Sequence, residues 1–214
     1  MRKLFIAGAS GATGKVLVAQ ARAAGADLVE HYRPQRGAPP GANHPSVLEL
    51  ADAASLEGAM QGCTTVLQLI GTMRNRFAAG DTYETSDIGT TRQLVAAAQA
   101  VGVDHLVLLS SVGAGRPVGA YLQAKAAAEA LVTQSGIAYS IFRPSALVGN
   151  ERKVPGAGLF GAATKALGLH ALRPISLEDL SAAMLVTALE HAPLGVILEG
   201  RSLWAQVAHA ASTR

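Results

Sequence analysis

Cysteine is almost absent from this sequence, since Cys63 is the only one among 214 residues. One thiol cannot close an intrachain disulfide, which excludes a small domain held together by disulfides. The six histidines are dispersed without the paired spacing of zinc ligands, and Cys63 has no obvious partner, so we expect no metal site.

Long apolar runs and aromatic residues are also scarce. Met1-Arg2-Lys3 and the apolar residues after them imitate a signal peptide, but Gly8 ends that run too soon, and no later stretch reaches membrane-spanning length. Aromatic residues make up 4% of the chain and the basic residues are dispersed, so the net charge of +3 predicts an ordinary solvated surface. We therefore expect a cytoplasmic monomer or homodimer with a small-molecule substrate and no nucleic-acid or membrane partner.

Glycines are plentiful, and three of them follow the first apolar run at regular spacing. Residues 4–7 are typical of a buried strand, and Gly8, Gly11 and Gly14 omit side chains where a backbone must approach a ligand closely. The free amides and the dipole at the start of a helix favour binding of the pyrophosphate of a dinucleotide. The alternative is that the glycines serve only the backbone conformation of a tight turn. The turn residues expected to hold the cofactor are Gly8, Ser10, Gly11, Ala12, Thr13 and Gly14.

Strand and helix patterns alternate along the chain. Strands are predicted over residues 4–7, 28–32, 47–50, 65–70, 106–109, 137–142 and 196–199. Helices are predicted from residue 12 to a stop at Gly25, then over 55–60, 83–101 and 121–134, and from the capping box Ser176-Leu177-Glu178-Asp179 through Leu189. Such alternation demands parallel strands with helices on both faces, so the predicted fold class is α/β, a doubly wound parallel sheet of Rossmann type.

The length and the even spread of glycine and proline predict one domain, with no linker or repeat. Residues 151–171 carry glycines and scattered basic residues without a predicted strand, so we expect residues 149–174 to form a small cap on the substrate side. Ligands of doubly wound sheets bind beyond the carboxyl ends of the strands. The residues at those predicted ends are Gly8, Arg33, Asp52, Gly71, Ser111 and Arg143.

Five short motifs occur together in this chain. They are Gly8-x-x-Gly11-x-x-Gly14, Asp87-Ile88-Gly89-Thr90, Ser110-Ser111-Val112-Gly113-Ala114, Tyr121-Leu122-Gln123-Ala124-Lys125 and Phe142-Arg143-Pro144. Over nearly the whole chain they resemble the atypical branch of the short-chain dehydrogenase/reductase superfamily, in its NmrA-like and Tat-interacting-oxidoreductase-like groups. Gly71-Thr72-Met73-Arg74 and the Tyr121 to Lys125 motif point toward the second group. The resemblance implies that residues 1–214 form a single NAD(P)-binding Rossmann domain.

The resemblance assigns catalysis to Ser111, Tyr121 and Lys125. Tyr121 and Lys125 are four residues apart, so on a helix they share one face, and an ammonium there favours the phenolate form of the tyrosine. Tyr121 then exchanges the hydroxyl proton while hydride moves at the nicotinamide, and Ser111 hydrogen-bonds the substrate oxygen. Two alternatives remain open: Ser110 could replace Ser111, and a tyrosine and lysine at this spacing could be surface neighbours only.

Arg33 decides the predicted choice of cofactor. Glu30 has the spacing of a ribose-binding carboxylate, but a strand that continues to Tyr32 leaves Glu30 inside it and brings Arg33 to the crevice, with Arg36 nearby. A guanidinium matches a 2′-phosphate, so NADP is favoured over NAD. The alternative is that Arg33 is only a solvated loop residue.

The remaining contacts with the cofactor are assigned mainly by resemblance. Asp52 would accept a hydrogen bond from the adenine amino group, although an aspartate that opens a helix is equally a cap. Gly71 would let the backbone pass the ribose, and residues 144–147, beginning with Pro144, would lie beside the nicotinamide. Ser110 and Lys125 are also expected to contact the cofactor.

The leading hypothesis is an NADP-dependent oxidoreductase that transfers hydride to or from a carbonyl or hydroxyl of a small organic substrate. Alternatives are an NADP(H)-binding redox sensor without turnover, a quinone or flavin reductase and, last, a nucleotide-sugar epimerase, for which the chain after Asn150 leaves little room. The Gly-x-Ser-x-Gly signature of a serine esterase is absent.

Overall fold

Parallel strands form the centre of the molecule in the computed structural model, which describes residues 2–71, 82–149 and 169–213. The strands are β1 Lys3–Ala7, β2 Asp27–Tyr32, β3 Pro45–Val47, β4 Thr65–Gln68, β5 His105–Leu109, β6 Ala138–Arg143, β7 Leu147–Val148, β8 Ile175–Ser176 and β9 Val196–Glu199. Seven of them pair in the order β3-β2-β1-β4-β5-β6-β9, and β7 pairs separately with β8. Because all pairs in the large sheet are parallel, the carboxyl ends of its strands meet at one edge.

Helices cover both faces of this sheet. They are α1 Ala12–Ala23, α2 Ala53–Met60, α3 Thr90–Val101, α4 Ala120–Thr133, α5 Leu177–Glu190 and α6 Arg201–Ser212, with a π-helical segment over Glu84–Gly89 before α3 and a 3₁₀ turn over His170–Leu172. Successive residues of a strand point to opposite faces, so Leu4 and Ile6 pack in the core under α1, α5 and α6, while Phe5 packs under α2 and α3. The predicted doubly wound Rossmann fold is confirmed.

Two predicted strands differ from the observed ones. The third lies over Pro45–Val47 instead of residues 47–50, because it pairs with Glu30–Tyr32 of β2 and the chain then leaves the sheet. β4 ends at Gln68 instead of residue 70, because the Gln68 side-chain oxygen accepts a hydrogen bond from the Ile70 amide and replaces a ladder partner. Most of the predicted cap, over residues 150–168, and the motif residues 72–74 lie outside the described residues.

The capping box before α5 is confirmed, since the Ser176 hydroxyl accepts a hydrogen bond from the Asp179 amide. α6, the small β7–β8 pair and the 3₁₀ turn were not predicted from the sequence. α6 carries Trp204, the only tryptophan of the chain. The Arg173 guanidinium stacks 3.5 Å from the centre of its indole ring, and the indole N–H donates to the His170 carbonyl.

A histidine pair, of which His105 is buried and His191 is partly exposed, lies near the amino ends of the strands, away from the strand ends that carry the glycine turn. His105 on β5 is fully buried, its Nε2 lies 2.9 Å from the Ser140 hydroxyl, and its ring centre lies 4.8 Å from that of His191. Burial, with smaller contributions from the neighbouring His191 and from Arg2, lowers the pKa of His105 to about 4. The imidazole is therefore neutral at physiological pH.

None of the helices in the described part of the chain combines the length and the apolar character that crossing a membrane requires.

Candidate functional site

The glycine turn connects β1 to α1 as the sequence predicts, and it is shaped for close approach. Gly8 has φ of +96°, a conformation that side chains disfavour, and its carbonyl accepts a hydrogen bond from the Gly11 amide at 3.0 Å. Gly11 is the N-cap of α1 and is exposed. A Cβ on Gly14 would lie only 2.1 Å from the Gly8 carbonyl oxygen, so the first turn of α1 is pressed against the loop. The result is a bare helix entry of the kind that holds a pyrophosphate.

The other predicted turn residues divide between the crevice and the core. Ser10 lines a cavity together with Gly8, Gly11 and Gly71. Ala12 is exposed on the first turn of α1, whereas Thr13 is buried and its carbonyl accepts a hydrogen bond from Ser181 on α5. Their contacts with a cofactor stay predictions.

A larger cavity of about 520 Å³ continues from the glycine turn past the end of β2. His31, Arg33 and Arg36 line both this cavity and the one beside the turn. The opposite wall carries polar groups from the segment before α3 and from α3 itself, namely Thr85, Ser86, Thr90 and Gln93. The crevice thus has room for the adenosine half of a dinucleotide, and it carries Arg33 and Arg36 after the end of β2 together with the carboxylate of Glu49.

Glu30 does not face that crevice. Its side chain is fully buried in β2, where it accepts hydrogen bonds from the Arg22 guanidinium at 2.6 and 2.8 Å and from the Tyr32 hydroxyl at 2.6 Å. Burial and this contact with Glu30 raise the pKa of Tyr32 to about 12. With Glu30 occupied inside the protein, the arginines that line the cavity after the end of β2 are Arg33 and Arg36.

Two residues beside this cavity have structural partners. The buried ring of His31 donates through Nε2 to the Leu48 carbonyl at 3.1 Å, and burial lowers its pKa, so the ring is neutral. Asp52 is the N-cap of α2 and accepts hydrogen bonds from the amide and the hydroxyl of Ser55, which hold the pKa of its carboxyl below the usual value. Both oxygens of Asp52 are used in the cap, and its predicted contact with adenine stays a prediction.

The two serines at the end of β5 have different surroundings. Ser110 is buried and donates to Glu129 on α4, and Glu129 also forms a two-pronged ion pair with Arg143. The hydroxyl of Ser111 is only partly buried, and it donates weakly to the Val112 carbonyl at 3.3 Å. Because Ser110 is tied into a buried ionic network, Ser111 is the better placed of the two to serve a ligand.

Arg143 carries this network across the end of the sheet. Its guanidinium also reaches Glu199 on β9 at 3.1 Å, and these carboxylates raise its pKa further above the usual value. The neighbouring Pro144 is buried, and its carbonyl accepts a hydrogen bond from the Val112 amide at 2.9 Å. The Ser110–Ser111 turn is therefore clamped between α4 and the end of β6.

Tyr121 and Lys125 share one face of α4, as their spacing predicts. The Lys125 ammonium lies 5.9 Å from the centre of the Tyr121 ring and 2.9 Å from a carboxylate oxygen of Asp87. Lys125 is buried, whereas Tyr121 is 37% exposed and its ring lies 5.7 Å from that of Tyr83. This arrangement places an exchangeable phenol near solvent and a fixed positive charge beneath it.

Gly71, after the end of β4, touches the same charges. A Cβ added there would lie 2.9 Å from the Lys125 ammonium and 3.1 Å from the Asp87 carboxylate. Gly71 also lines the cavity of the glycine turn. The crevice and the Tyr121–Lys125 face of α4 therefore meet at this residue.

A family model for NAD(P)H-binding proteins matches residues 8–192, which span the glycine turn, the crevice and α4. The chain belongs to the NAD(P)H-binding family. No curated protein matches the sequence.

Solved structures resemble this NAD(P)H-binding protein over its whole length. A Bacillus halodurans protein described as an NAD-dependent epimerase/dehydratase has a TM-score of 0.76 and 18% identity, with all of both chains covered. MoeE5 in complex with UDP-glucose and NAD has a TM-score of 0.71 and 20% identity, and the match covers 100% of this chain and 82% of that one. A short-chain dehydrogenase/reductase superfamily protein from Agrobacterium tumefaciens with bound NAD has a TM-score of 0.68 and 16% identity, covering 99% and 82%. At these identities the likeness establishes a shared fold.

Two charged partners of the candidate site residues were not predicted from the sequence. Asp87 was noted only as part of a motif, and Glu129 was not singled out. Asp87 and Lys125 are 38 positions apart in sequence, and Ser110 and Glu129 are 19 apart, so no helical spacing relates either pair. The composition offered one indication of these partners, because each carboxylate lies in a predicted helix that is otherwise rich in alanine or apolar residues.

Proposed function

We propose that this protein is an NADP-dependent oxidoreductase that transfers hydride to or from a carbonyl or hydroxyl group of a small organic substrate. The observation that carries the proposal is the position of Tyr121 and Lys125. They share a face of α4, 5.9 Å from ammonium to ring centre, and Lys125 adjoins Gly71 at the wall of the crevice.

The nicotinamide, when bound, supplies or accepts the hydride. In the reducing direction, Tyr121 gives its hydroxyl proton to the substrate oxygen as the carbon receives the hydride, so a C–H and an O–H bond form and the carbonyl π bond is lost. Solvent returns a proton to Tyr121, which its 37% exposure allows. The Ser111 hydroxyl donates a hydrogen bond to the same oxygen while negative charge develops there.

Lys125 contributes its charge. The buried ammonium lies 5.9 Å from the centre of the Tyr121 ring, so the proposal gives it the role of an electrostatic partner beside the proton donor. Its fixed place beside Gly71 also suits a hydrogen bond to a ribose that passes over the strand end.

The preference for NADP is supported by the end of β2. Arg33 and Arg36 both line the cavity, and a guanidinium binds a phosphate through paired, charge-assisted hydrogen bonds. Glu30 is sequestered by Arg22 and Tyr32, so it does not offer its carboxylate to the ribose hydroxyls.

The reaction is tested by Tyr121→Phe, followed through NADPH absorbance against a panel of carbonyls and quinones. Loss of a general acid should lower kcat by roughly 10²–10⁴-fold, with NADPH binding by calorimetry little changed. Tyr139→Phe on β6 is the matched control and should keep wild-type turnover. If Tyr121→Phe turns over at the wild-type rate, Tyr121 is not the proton donor. Tight NADPH binding by the wild type with no oxidation across the panel would favour a redox sensor instead.

The cofactor preference is tested by Arg33→Ala/Arg36→Ala. Removing charged partners of a phosphate should weaken NADPH binding by about tenfold or more while leaving NADH binding unchanged. Arg2→Ala, which removes one positive charge at the amino edge of the sheet, is the control. Equal losses for both cofactors would contradict the assignment of the 2′-phosphate to these arginines.

A further inference from the structure

A buried ion pair joins two helical segments directly behind the proposed proton donor. The Lys125 ammonium lies 2.9 Å from Asp87 Oδ1, and their side chains are 8% and 1% exposed. Asp87 belongs to the π-helical segment Glu84–Gly89, whereas Lys125 belongs to α4. π-Helical turns are rare and often occur at functional sites.

The surroundings leave the pair little freedom. The ammonium also lies within hydrogen-bond reach of the Leu109 carbonyl, at 3.4 Å, which fixes it toward the end of β5. On the other side, Gly71 leaves just enough room, since a single added methyl group would approach both charged atoms at 2.9 and 3.1 Å. The end of β4, the end of β5 and two helical segments therefore converge on one charge.

Such an arrangement is poorly explained by stability alone. Burying two charges costs solvation that their attraction repays only with good geometry, and well-packed apolar residues at such sites are often as stable or more so. A lysine without a buried partner extends its flexible stem so that the ammonium reaches water. The solvent side of α4 is within reach of Lys125, since Tyr121 one turn earlier is 37% exposed.

We propose that Asp87 is a positioning residue that holds the Lys125 ammonium at the crevice wall, beneath Tyr121 and against the path of the ribose. This inference rests on the proposed function of Lys125. Asp87 acts through Lys125 and touches neither the substrate nor the hydride-transferring atoms.

A double-mutant cycle tests this role, with Asp87→Asn, Lys125→Met and the combined variant measured against the wild type. The readouts are the Kd of NADPH by calorimetry, the kcat and KM of turnover, and the melting temperature of each variant. The combined variant removes both charges together, so it leaves no unpaired buried charge and remains suitable for measurement if Asp87→Asn folds poorly. Glu84→Gln, an exposed carboxylate on the same π-helical segment, is the matched control.

We expect Asp87→Asn to weaken NADPH binding by about tenfold in the wild-type background and to change it less than twofold in the Lys125→Met background. Glu84→Gln should leave the Kd unchanged. An equal loss of affinity in both backgrounds would overturn the positioning role. The Kd cycle does not depend on turnover, so it remains readable if Tyr121→Phe disproves the proposed reaction. Conversely, the effects of the two single substitutions on NADPH binding could add in the combined variant while Tyr121→Phe is inactive. That result would refute the positioning role of Asp87 and leave the proposed reaction standing.

Discussion

Gly14→Ala is expected to be the most damaging single-methyl substitution in the glycine turn. The added Cβ would lie 2.1 Å from the Gly8 carbonyl oxygen, 2.9 Å from the Gly8 carbonyl carbon and 3.0 Å from the Ala9 Cα. All three are backbone atoms, so no side-chain rotation can relieve the overlap, and α1 must move away from the loop. The perturbation therefore reaches the pyrophosphate cradle itself.

The magnitude follows from ordinary overpacking together with the propensity of alanine for helices. Overfilling a well-packed site costs about 1–3 kcal/mol, and the gain of about 0.5–1 kcal/mol from replacing a helical glycine offsets part of it. A net loss of about 1–2 kcal/mol lowers the melting temperature of a domain of this size by roughly 2–8 °C. NADPH binding should weaken at the same time, because the helix amides are displaced from the turn.

Gly58→Ala is the matched control, since Gly58 lies in α2, is exposed, and an added Cβ would have nothing within 4 Å. The same substitution there should raise the melting temperature by roughly 1–4 °C and leave NADPH binding unchanged. Thermal melts by circular dichroism and calorimetric titration with NADPH check both variants. If Gly14→Ala melts and binds like Gly58→Ala, the close-approach explanation of the turn is wrong.

Three further predictions concern the scaffold. The folded-state pKa of His105 is about 4, below its ordinary value of 6.5, so the unfolded chain binds the proton first and stability falls as pH drops from about 6.5 to about 4. The loss is about 3 kcal/mol, and His105→Gln should remove that part of the pH dependence in urea titrations. Ser176→Ala removes the hydroxyl that accepts from the Asp179 amide and should lower the free energy of unfolding by about 1 kcal/mol in the same assay, whereas unchanged stability would exclude a contribution from the cap. Arg143→Met leaves Glu129 buried without its ionic partner and should lower the free energy of unfolding by about 3–5 kcal/mol in chemical denaturation. A decrease below about 1 kcal/mol would contradict a stabilising role of this ion pair.

Local patterns in the sequence were sufficient to predict the architecture. The continuous apolar run of β1 and the helical spacing after Ala12 each have one physical solution, a strand buried on both faces and an amphipathic helix, and both occur. The capping box at Ser176 was also readable, because a cap depends on residues three positions apart. α6, which was not predicted, carries Leu203 and Val207 four residues apart, a spacing that is typical of one face of a helix.

The parts of the site that depend on tertiary pairing could not be predicted from the sequence. The edge strand β3 is placed by its register with β2, so an apolar run at residues 47–50 misplaced it by two residues. Similarly, the spacing of Tyr121 and Lys125 predicted their shared face, but the carboxylate of Asp87 reaches Lys125 only through the packing of the π-helical segment on α4. For Asp52 the sequence allowed two roles, a contact with adenine and a helix cap, and the structure shows the cap.

The stacking of Arg173 on Trp204 has a practical consequence for spectroscopy. Because the chain holds one tryptophan, all indole fluorescence originates at the junction of α6 with the 3₁₀ turn at His170–Leu172. The emission spectrum is therefore a single-site signal that reports the docking of α6, while far-ultraviolet circular dichroism averages over every helix. Coincident unfolding curves from the two signals would show that α6 and the sheet unfold as one cooperative unit, and an earlier emission transition would show that α6 separates first.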